Sequence, residues 1–355
     1  MNIGRTNSLL DSYVLLGFEG DGVATKTAKL LNRKLISIKS RPFNDTSSHI
    51  KIDIEERLGL EHKKVCLIAG NCQKEGKTIN DTTMEICFAI NAAKQAGAAK
   101  IYLYLPYLGY ARQDKVSLPG ESLSASLVLQ FFSMAGANKI TVLDIHNEAI
   151  FGSLMGTSAV GVNHFAMQEF ANKFKEKQES GVRLENLVVV APDQGAVERG
   201  KLFLGAMKTA GFANVAFASF DKSRDYSQKG HVQAMHLKEV ELPTGEMLQY
   251  ENAQDALKGK TAIIIDDIVD TGGTLLKAVS ENIVKRYGAE GAYAVITHGV
   301  LSGNALEKIA ETEELKGMLI TDSIPLRRSD VPSKLEVISC APVFAEAIQQ
   351  SIESD

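Results

Sequence analysis

The stretch AIIIDDIVDTGGTLLKAV, Ala262 to Val279, joins an apolar run to two acids, a threonine- and glycine-rich loop and the start of a helix. Acids, hydroxyls and glycines cost free energy in a core, whereas at a strand end they can serve a ligand. Gly272 and Gly273 let the backbone turn tightly and expose its N–H groups, and Thr271 and Thr274 add hydroxyl donors. A helix beginning there aims its first amides and its dipole at the same place, which makes a phosphate cradle. Asp266 and Asp267 suit sugar hydroxyls, from which a carboxylate accepts hydrogen bonds. A place for hydroxyls beside a place for phosphate describes a ribose 5-phosphate moiety. The stretch is neither GxxxxGK[ST] nor a dinucleotide fingerprint.

Outward from this stretch the chain repeats one rhythm. Lys64–Gly70 reads as a strand, Asp81–Ala98 as a helix with Asp81 as N-cap, and Lys100–Tyr107 as a strand. A helix near Glu121–Ala135 and a strand at Lys139–His146 follow. After the polar stretch Lys173–Asn186 the pattern restarts. Strands are expected at Leu187–Asp193, Asn214–Asp221, Thr261–Asp267 and Ala292–Val300, with helices from about Gly195 and from Gly273. Such βα alternation predicts buried, mostly parallel sheets covered by helices. Leu237–Lys260 is polar and turn-rich and reads as an extended hairpin or a surface insertion. The units at Lys64–Leu105 and Thr261–Thr297 run alike, with Gly97-Ala98 against Gly288-Ala289, which suggests duplication. Only the second carries the DTGGT loop.

The 355 residues are 45% hydrophobic and 23% charged, with net charge -4 and an isoelectric point near 6.0. That is globular composition, long enough for two domains. It carries no global basic excess for nucleic acid and no Lys/Arg run for a membrane surface. Cys66, Cys72, Cys87 and Cys340 lack paired metal spacing and fit a reduced, cytoplasmic protein. Tyr13–Phe18 is far too short to span a bilayer, and no signal peptide is expected.

The Asp266–Thr274 stretch resembles the phosphoribosyl-diphosphate loop of type I phosphoribosyltransferases. Further stretches narrow the resemblance to ribose-phosphate diphosphokinases (PRPP synthetases): LPYLGYARQDK at Leu105–Lys115, VLDIH at Val142–His146, and VVVAPDQGAVERGKLF at Val188–Phe203. THGVLSGNALEKI at Thr297–Ile309 and APVFAEAIQQ at Ala341–Gln350 also match in kind and order. The resemblance runs from about Gly17 to Ile352. It implies two tandem α/β phosphoribosyltransferase-like domains with parallel sheets flanked by helices. These would be residues 1–165 and 166–340, with helix 341–355 packing back on the first.

The resemblance further implies transfer of the β,γ-diphosphoryl group of ATP to ribose 5-phosphate, with magnesium as cofactor and a homo-oligomeric assembly. Phe43, Asp45, Arg112 and Gln113 would bind ATP. Asp193, Gln194 and Gly195 would form the diphosphate loop, and His146 and Asp193 would hold the metal. Asp266, Asp267, Asp270, Thr271, Gly272, Gly273 and Thr274 would take the ribose phosphate. Lys222 and Arg224, in FDKSRDY (Phe220–Tyr226), would neutralise charge on the transferred phosphates.

Three stretches depart from the family pattern. In Val116–Ser126 the expected acid is Ser117 and the expected arginine Gly120. In Arg41–Ile52 the family's glutamate is Ser47. Apart from the three stretches, Ala196 replaces a second glycine of the diphosphate loop. Gly70–Thr82 differs from the usual tight loop and carries Lys74 and Lys77. These leave open a larger acceptor such as ADP-ribose, a non-catalytic regulatory subunit, or a phosphoribosyltransferase.

Overall fold

The structure is a computed structural model, and it describes residues 13–54, 59–74, 76–224, 233–249 and 255–353. Two compact units emerge. The first runs to His164 and adds Ser323–Arg327 and the chain from Ser339; the second holds Phe165–Asp322 and Arg328–Ile338.

The first unit opens with β1 (Tyr13–Phe18), α1 (Gly22–Leu30), β2 (Leu35–Pro42) and β3 (Ser48–Ile52). Next come β4 (Lys64–Ile68), α2 (Ile79–Gln95), β5 (Lys100–Leu105), α3 (Ser124–Ala135), β6 (Lys139–Leu143) and β7 (Val160–His164). The sheet order is β3-β2-β1-β4-β5-β6-β7, parallel throughout except for β3 against β2. Its central strands are almost wholly apolar because helices cover both faces of a parallel sheet: Val65, Leu67, Leu103, Leu105 and Ile140 are all buried.

The second unit begins with α4 (Met167–Glu179), β8 (Leu187–Ala191), α5 (Val197–Thr209), β9 (Val215–Arg224), β10 (Gln233–Glu241) and β11 (Met247–Gln249). It continues with β12 (Thr261–Val269) and α6 (Gly273–Lys277), whose helix runs on as a π-helical stretch over Ala278–Arg286. β13 (Gly291–Gly299), α7 (Ala305–Glu311), β14 (Leu315–Thr321) and β15 (Leu335–Ile338) complete it. The order β11-β10-β9-β8-β12-β13-β14-β15 repeats that of the first sheet strand for strand from β3≡β10 to β7≡β15. The turn-rich segment resolves as the antiparallel β10–β11 hairpin, with Glu239 opposite Gln249. Residues 250–254, also part of that reading, lie outside the described residues. The last helix, α8 (Ala341–Glu353), belongs to the first unit. Phe344 meets the edge of Tyr104 at 6.3 Å, and Ser351 Oγ accepts from Lys139 Nζ at 2.8 Å.

Local chemistry moves several expected boundaries. Asp81 is not the N-cap of α2. Thr78 is, and Asp81 is its capping-box partner: Thr78 N donates to Asp81 Oδ2 at 2.7 Å and Asp81 N to Thr78 Oγ1 at 3.3 Å. Helix α3 starts at Ser124 rather than Glu121, because the Glu121 carboxylate is engaged by the Ser117 and Leu118 amides at 2.8 and 2.9 Å. β6 ends at Leu143, since Asp144 turns left-handed at φ 42°. All four cysteines are free and buried, and burial pushes the Cys66 thiol up to about 12. No helix among the described residues is long and apolar enough to cross a membrane.

The Pro106–Asp114 segment is fixed by a close approach. Gly109 N donates to the buried Asn71 Oδ1 at 2.8 Å, and Asn71 Nδ2 donates to Thr83 Oγ1 at 2.8 Å. A Cβ on Gly109 would lie 2.5 Å from Ile79 Cγ2 and 3.0 Å from the Asn71 carbonyl oxygen. Gly109→Ala should therefore lower stability by about 1–3 kcal/mol through overpacking, read as a lower urea midpoint with an unchanged m-value.

Candidate functional site

In the second sheet β8 and β12 are parallel neighbours, Leu187 opposite Thr261 through Val190 opposite Ile264. From β8 the chain passes by α5 to β9 on one side; from β12 it passes to β13 on the other. The loops after β8 and β12 therefore part company, and the crevice between them lies at the carboxyl ends of the strands, the usual ligand position of an open α/β sheet.

After β8, Asp193 caps a short 3-10 turn at Gln194–Ala196, its Oδ1 accepting from Ala196 N at 3.2 Å. Gln194 Nε2 donates to Asp221 Oδ1 at 2.9 Å, tying this turn to the residue before Lys222. Arg199, buried one turn into α5, donates from Nη1 to the Gly195 carbonyl at 2.8 Å. Opposite, β12 continues past its expected end at Asp267, because Ile268 and Val269 still pair with His298 and Gly299. Asp267 is buried, and its amide donates to Asp266 Oδ1 at 3.0 Å.

Burial raises the Asp266 carboxyl well above the carboxylate range, and the charges of Asp267 and Asp193 push the same way against Arg199. Three carboxylates thus share one place with one buried guanidinium. Such a place favours ligands that bring positive charge or hydroxyl donors.

The DTGGT loop completes the crevice. Gly272 sits at φ 73°, left-handed, where any side chain would be strained. It caps the helix without a side-chain hydrogen bond. The amides of a first helical turn have no partner within the helix, and here no side chain of the cap takes them. A Cβ on Gly273 would meet nothing nearer than Thr271 Oγ1 at 3.9 Å. The Thr271 carbonyl accepts from Lys308 Nζ at 3.2 Å, and the Asp270 carbonyl from the Ser302 amide at 3.0 Å, which anchor the loop from α7's side.

β9 is described to Arg224, with Lys222 opposite Met235 and Arg224 opposite Gln233. The side chains of Lys222 and Arg224, and Asp225 and Tyr226 altogether, lie outside the described residues.

In the first unit, Tyr110 is left-handed at φ 65° and its carbonyl accepts from Gln113 N at 2.8 Å. That turn leaves Arg112 and Gln113 exposed. Asn147 Nδ2 donates to Asp114 Oδ2 at 2.8 Å, so the RQD segment and the exposed His146 segment are brought together. Phe43 and Asp45 lie on the β2–β3 turn. Asp45 Oδ1 accepts from Ser47 N and Oγ at 3.0 and 2.6 Å, holding its carboxyl below the usual range. Among the described residues no group of three or more His, Cys, Asp or Glu is arranged to hold a metal.

Sequence reasoning assigned no role to Arg199, Asn71 or Glu85. Arg199 stood inside a quoted motif, one helical turn after Gly195, and that spacing was the available signal. For Asn71 and Glu85 there was none, since their partners are remote in the chain.

Two family models match the chain: one for the N-terminal domain of ribose phosphate pyrophosphokinase over residues 14–136, and one for the phosphoribosyl synthetase-associated domain over residues 184–355. A ribose-phosphate pyrophosphokinase of Caldanaerobacter subterraneus is 32% identical, with 97% of this chain and 94% of that protein covered. One of Staphylococcus haemolyticus is 33% identical, with 100% and 98% covered. The crystal structure of phosphoribosylpyrophosphate synthetase from Mycobacterium smegmatis matches with a TM-score of 0.74 at 25% identity, covering 97% of this chain and 100% of that one. With its doubled α/β architecture and relatives matched from end to end, the chain belongs to the ribose-phosphate pyrophosphokinase (PRPP synthetase) family, as a divergent member.

Proposed function

We propose that the protein transfers the β,γ-diphosphoryl group of ATP to the anomeric hydroxyl of ribose 5-phosphate, giving 5-phosphoribosyl 1-diphosphate and AMP. The observation that carries this reading is the helix start at Gly273, capped by a residue without a side chain, beside Asp266 and Asp267 at the switch point of the second sheet. The loop from Asp270 to Thr274 receives the 5-phosphate, and Asp266 and Asp267 accept from the ribose hydroxyls. Gln194 and Gly195 wrap the diphosphate. Phe43, Asp45, Arg112 and Gln113 hold ATP. Lys222 and Arg224 neutralise charge that builds on the transferred group, because phosphoryl transfer is governed by positioning and charge.

Magnesium takes few protein ligands and completes its shell with substrate phosphates, and Asp193 would be a carboxylate that holds it. Bound there, the ion would screen phosphate oxygens. The deciding assay incubates the protein with ATP, magnesium and ribose 5-phosphate or ADP-ribose, and resolves AMP from ADP. AMP with ribose 5-phosphate supports the reading; no AMP with either acceptor overturns it. A regulatory subunit without turnover is the second reading. It draws on the Ser117–Glu121 turn, folded onto Glu121 without the family's acid and arginine.

Gly273→Val should abolish ribose 5-phosphate binding with the unfolding midpoint near wild type, since the added Cβ meets nothing nearer than Thr271 Oγ1 at 3.9 Å. Thr274→Ala should weaken binding by about 1 kcal/mol. Calorimetric titration reads both, and equal affinities would remove the loop from the site.

Replacing Lys222 and Arg224 together by Ala should lower turnover by about 10³ or more while ATP affinity changes little. Rapid-quench rates beside equilibrium ATP binding test this, and normal turnover would move the catalytic cations elsewhere.

Asp266 supplies a pH prediction. Its carboxyl is raised in the folded state, so the native chain holds that proton more tightly than the unfolded one. The contribution is full below the unfolded value near 4 and is lost as pH rises through the folded one. Asp266→Asn should therefore stabilise the ligand- and metal-free protein at pH 8, with the gain vanishing toward pH 4, as read by thermal melts in chelator.

A further inference from the structure

Glu85 is buried on α2, and its carboxylate gathers donors from three separate segments. Ser40, near the end of β2, donates to Oε1. Ser48 Oγ, at the start of β3, donates to the same oxygen at 3.1 Å. Lys77 Nζ donates to Oε1 at 2.7 Å, to Oε2 at 3.0 Å and to Ser40 Oγ at 3.0 Å. A buried carboxylate needs both a countercharge and hydrogen bonds, and Lys77 provides the charge. Its place is set by a backbone turn in which Lys74 and Lys77 exchange amide hydrogen bonds at 3.2 and 3.0 Å.

Ser40 and Ser48 flank the β2–β3 turn that carries Phe43 and Asp45. β3 is the edge strand, bonded to β2 alone, with Pro42 opposite Ser48. Within the turn Phe43 N donates to the Ser47 carbonyl at 2.7 Å, and the Phe43 ring meets His49 edge-on at 5.5 Å. The hairpin is therefore closed by its own bonds, and both its stems are tied to Glu85. Phe43 itself is 56% exposed, so packing does not fix it. Lys77 belongs to the stretch in which this chain departs from its family, as does the hairpin.

We propose that Glu85 and Lys77 form a clamp that positions the β2–β3 hairpin for nucleotide binding, making them positioning residues for the ATP side of the site. The proposal rests on the reading that Phe43 and Asp45 face ATP. A merely structural ion pair would change stability alone. A clamp changes how firmly Phe43 and Asp45 are presented, and so changes ATP affinity ahead of turnover.

The chain contains no tryptophan, so Phe43→Trp reports on the hairpin alone. Its fluorescence anisotropy and its response to ATP would be measured with and without Lys77→Met. In the native Phe43 background, Lys77→Met should raise the KM for ATP about tenfold. The KM for ribose 5-phosphate and kcat should stay within about twofold, and Lys77→Arg should restore most of the loss. Ser48→Ala removes one tie and leaves the charge pair intact. It should shift the KM for ATP the same way by less, and it serves if Lys77→Met does not fold. Lower anisotropy at position 43 together with the selective rise in KM supports the clamp. A lowered unfolding midpoint with unchanged anisotropy and ATP affinity overturns it. If ATP leaves the reporter unchanged while the clamp is intact, the nucleotide reading of the hairpin fails, and the anisotropy comparison still decides the clamp.

Discussion

Burial of the Asp266 carboxyl at the end of β12, with the charges of Asp267 and Asp193 beside it, is the constraint around which the second unit is built. Burying a carboxyl beside like charges costs free energy, and the buried Arg199 guanidinium acts against it. The arrangement persists because β12 is locked on both sides, against the apolar, buried β8 and against β13, whose Ala292–Ile296 run is hydrophobic and buried. The rigid strand holds the acids where relaxation would separate them.

The first unit shows what the same topology does without that constraint. β4 and β12 pair with β1 and β8 from Lys64 and Thr261 respectively. Counted from those starts, Ala69 and Gly70 stand where Asp266 and Asp267 stand. The following helices differ in the same sense. α2 is closed by its own Thr78–Asp81 capping box, in which the Thr78 hydroxyl accepts from the Asp81 amide and the Asp81 carboxylate from the Thr78 amide. α6 is capped by Gly272, which places nothing there. One half closes its helix start with a side-chain box; the other begins its helix on a residue that has no side chain to offer.

The first unit directs its polar groups to positioning instead. Asn71 secures the loop that carries Arg112 and Gln113, Asn147 joins that loop to the His146 segment, and Glu85 gathers the stems of the Phe43 hairpin. Each is a polar node holding an exposed, chemically useful side chain in place from behind. Rigid support beneath exposed groups is what keeps their geometry fixed.

The βα alternation, the duplicated halves and the Asp266–Thr274 stretch were legible in the sequence by itself, because they are local. Period, glycine placement and acid spacing are written in consecutive residues, and those residues alone determine a strand, a tight turn and a helix start. Element ends were less legible: Thr78 rather than Asp81 caps α2, and Ile268 and Val269 extend β12, since capping and pairing depend on which partner is within reach. What only the tertiary structure decided are the contacts between segments distant along the chain. Arg199 reaching the carboxylates, Asn71 meeting Gly109, and Lys77 joining Glu85 to Ser40 and Ser48 leave no periodicity to read. Their meaning arises only when the sheet order brings loops together at the carboxyl ends of its strands, where burial turns ordinary polar residues into obligatory partners.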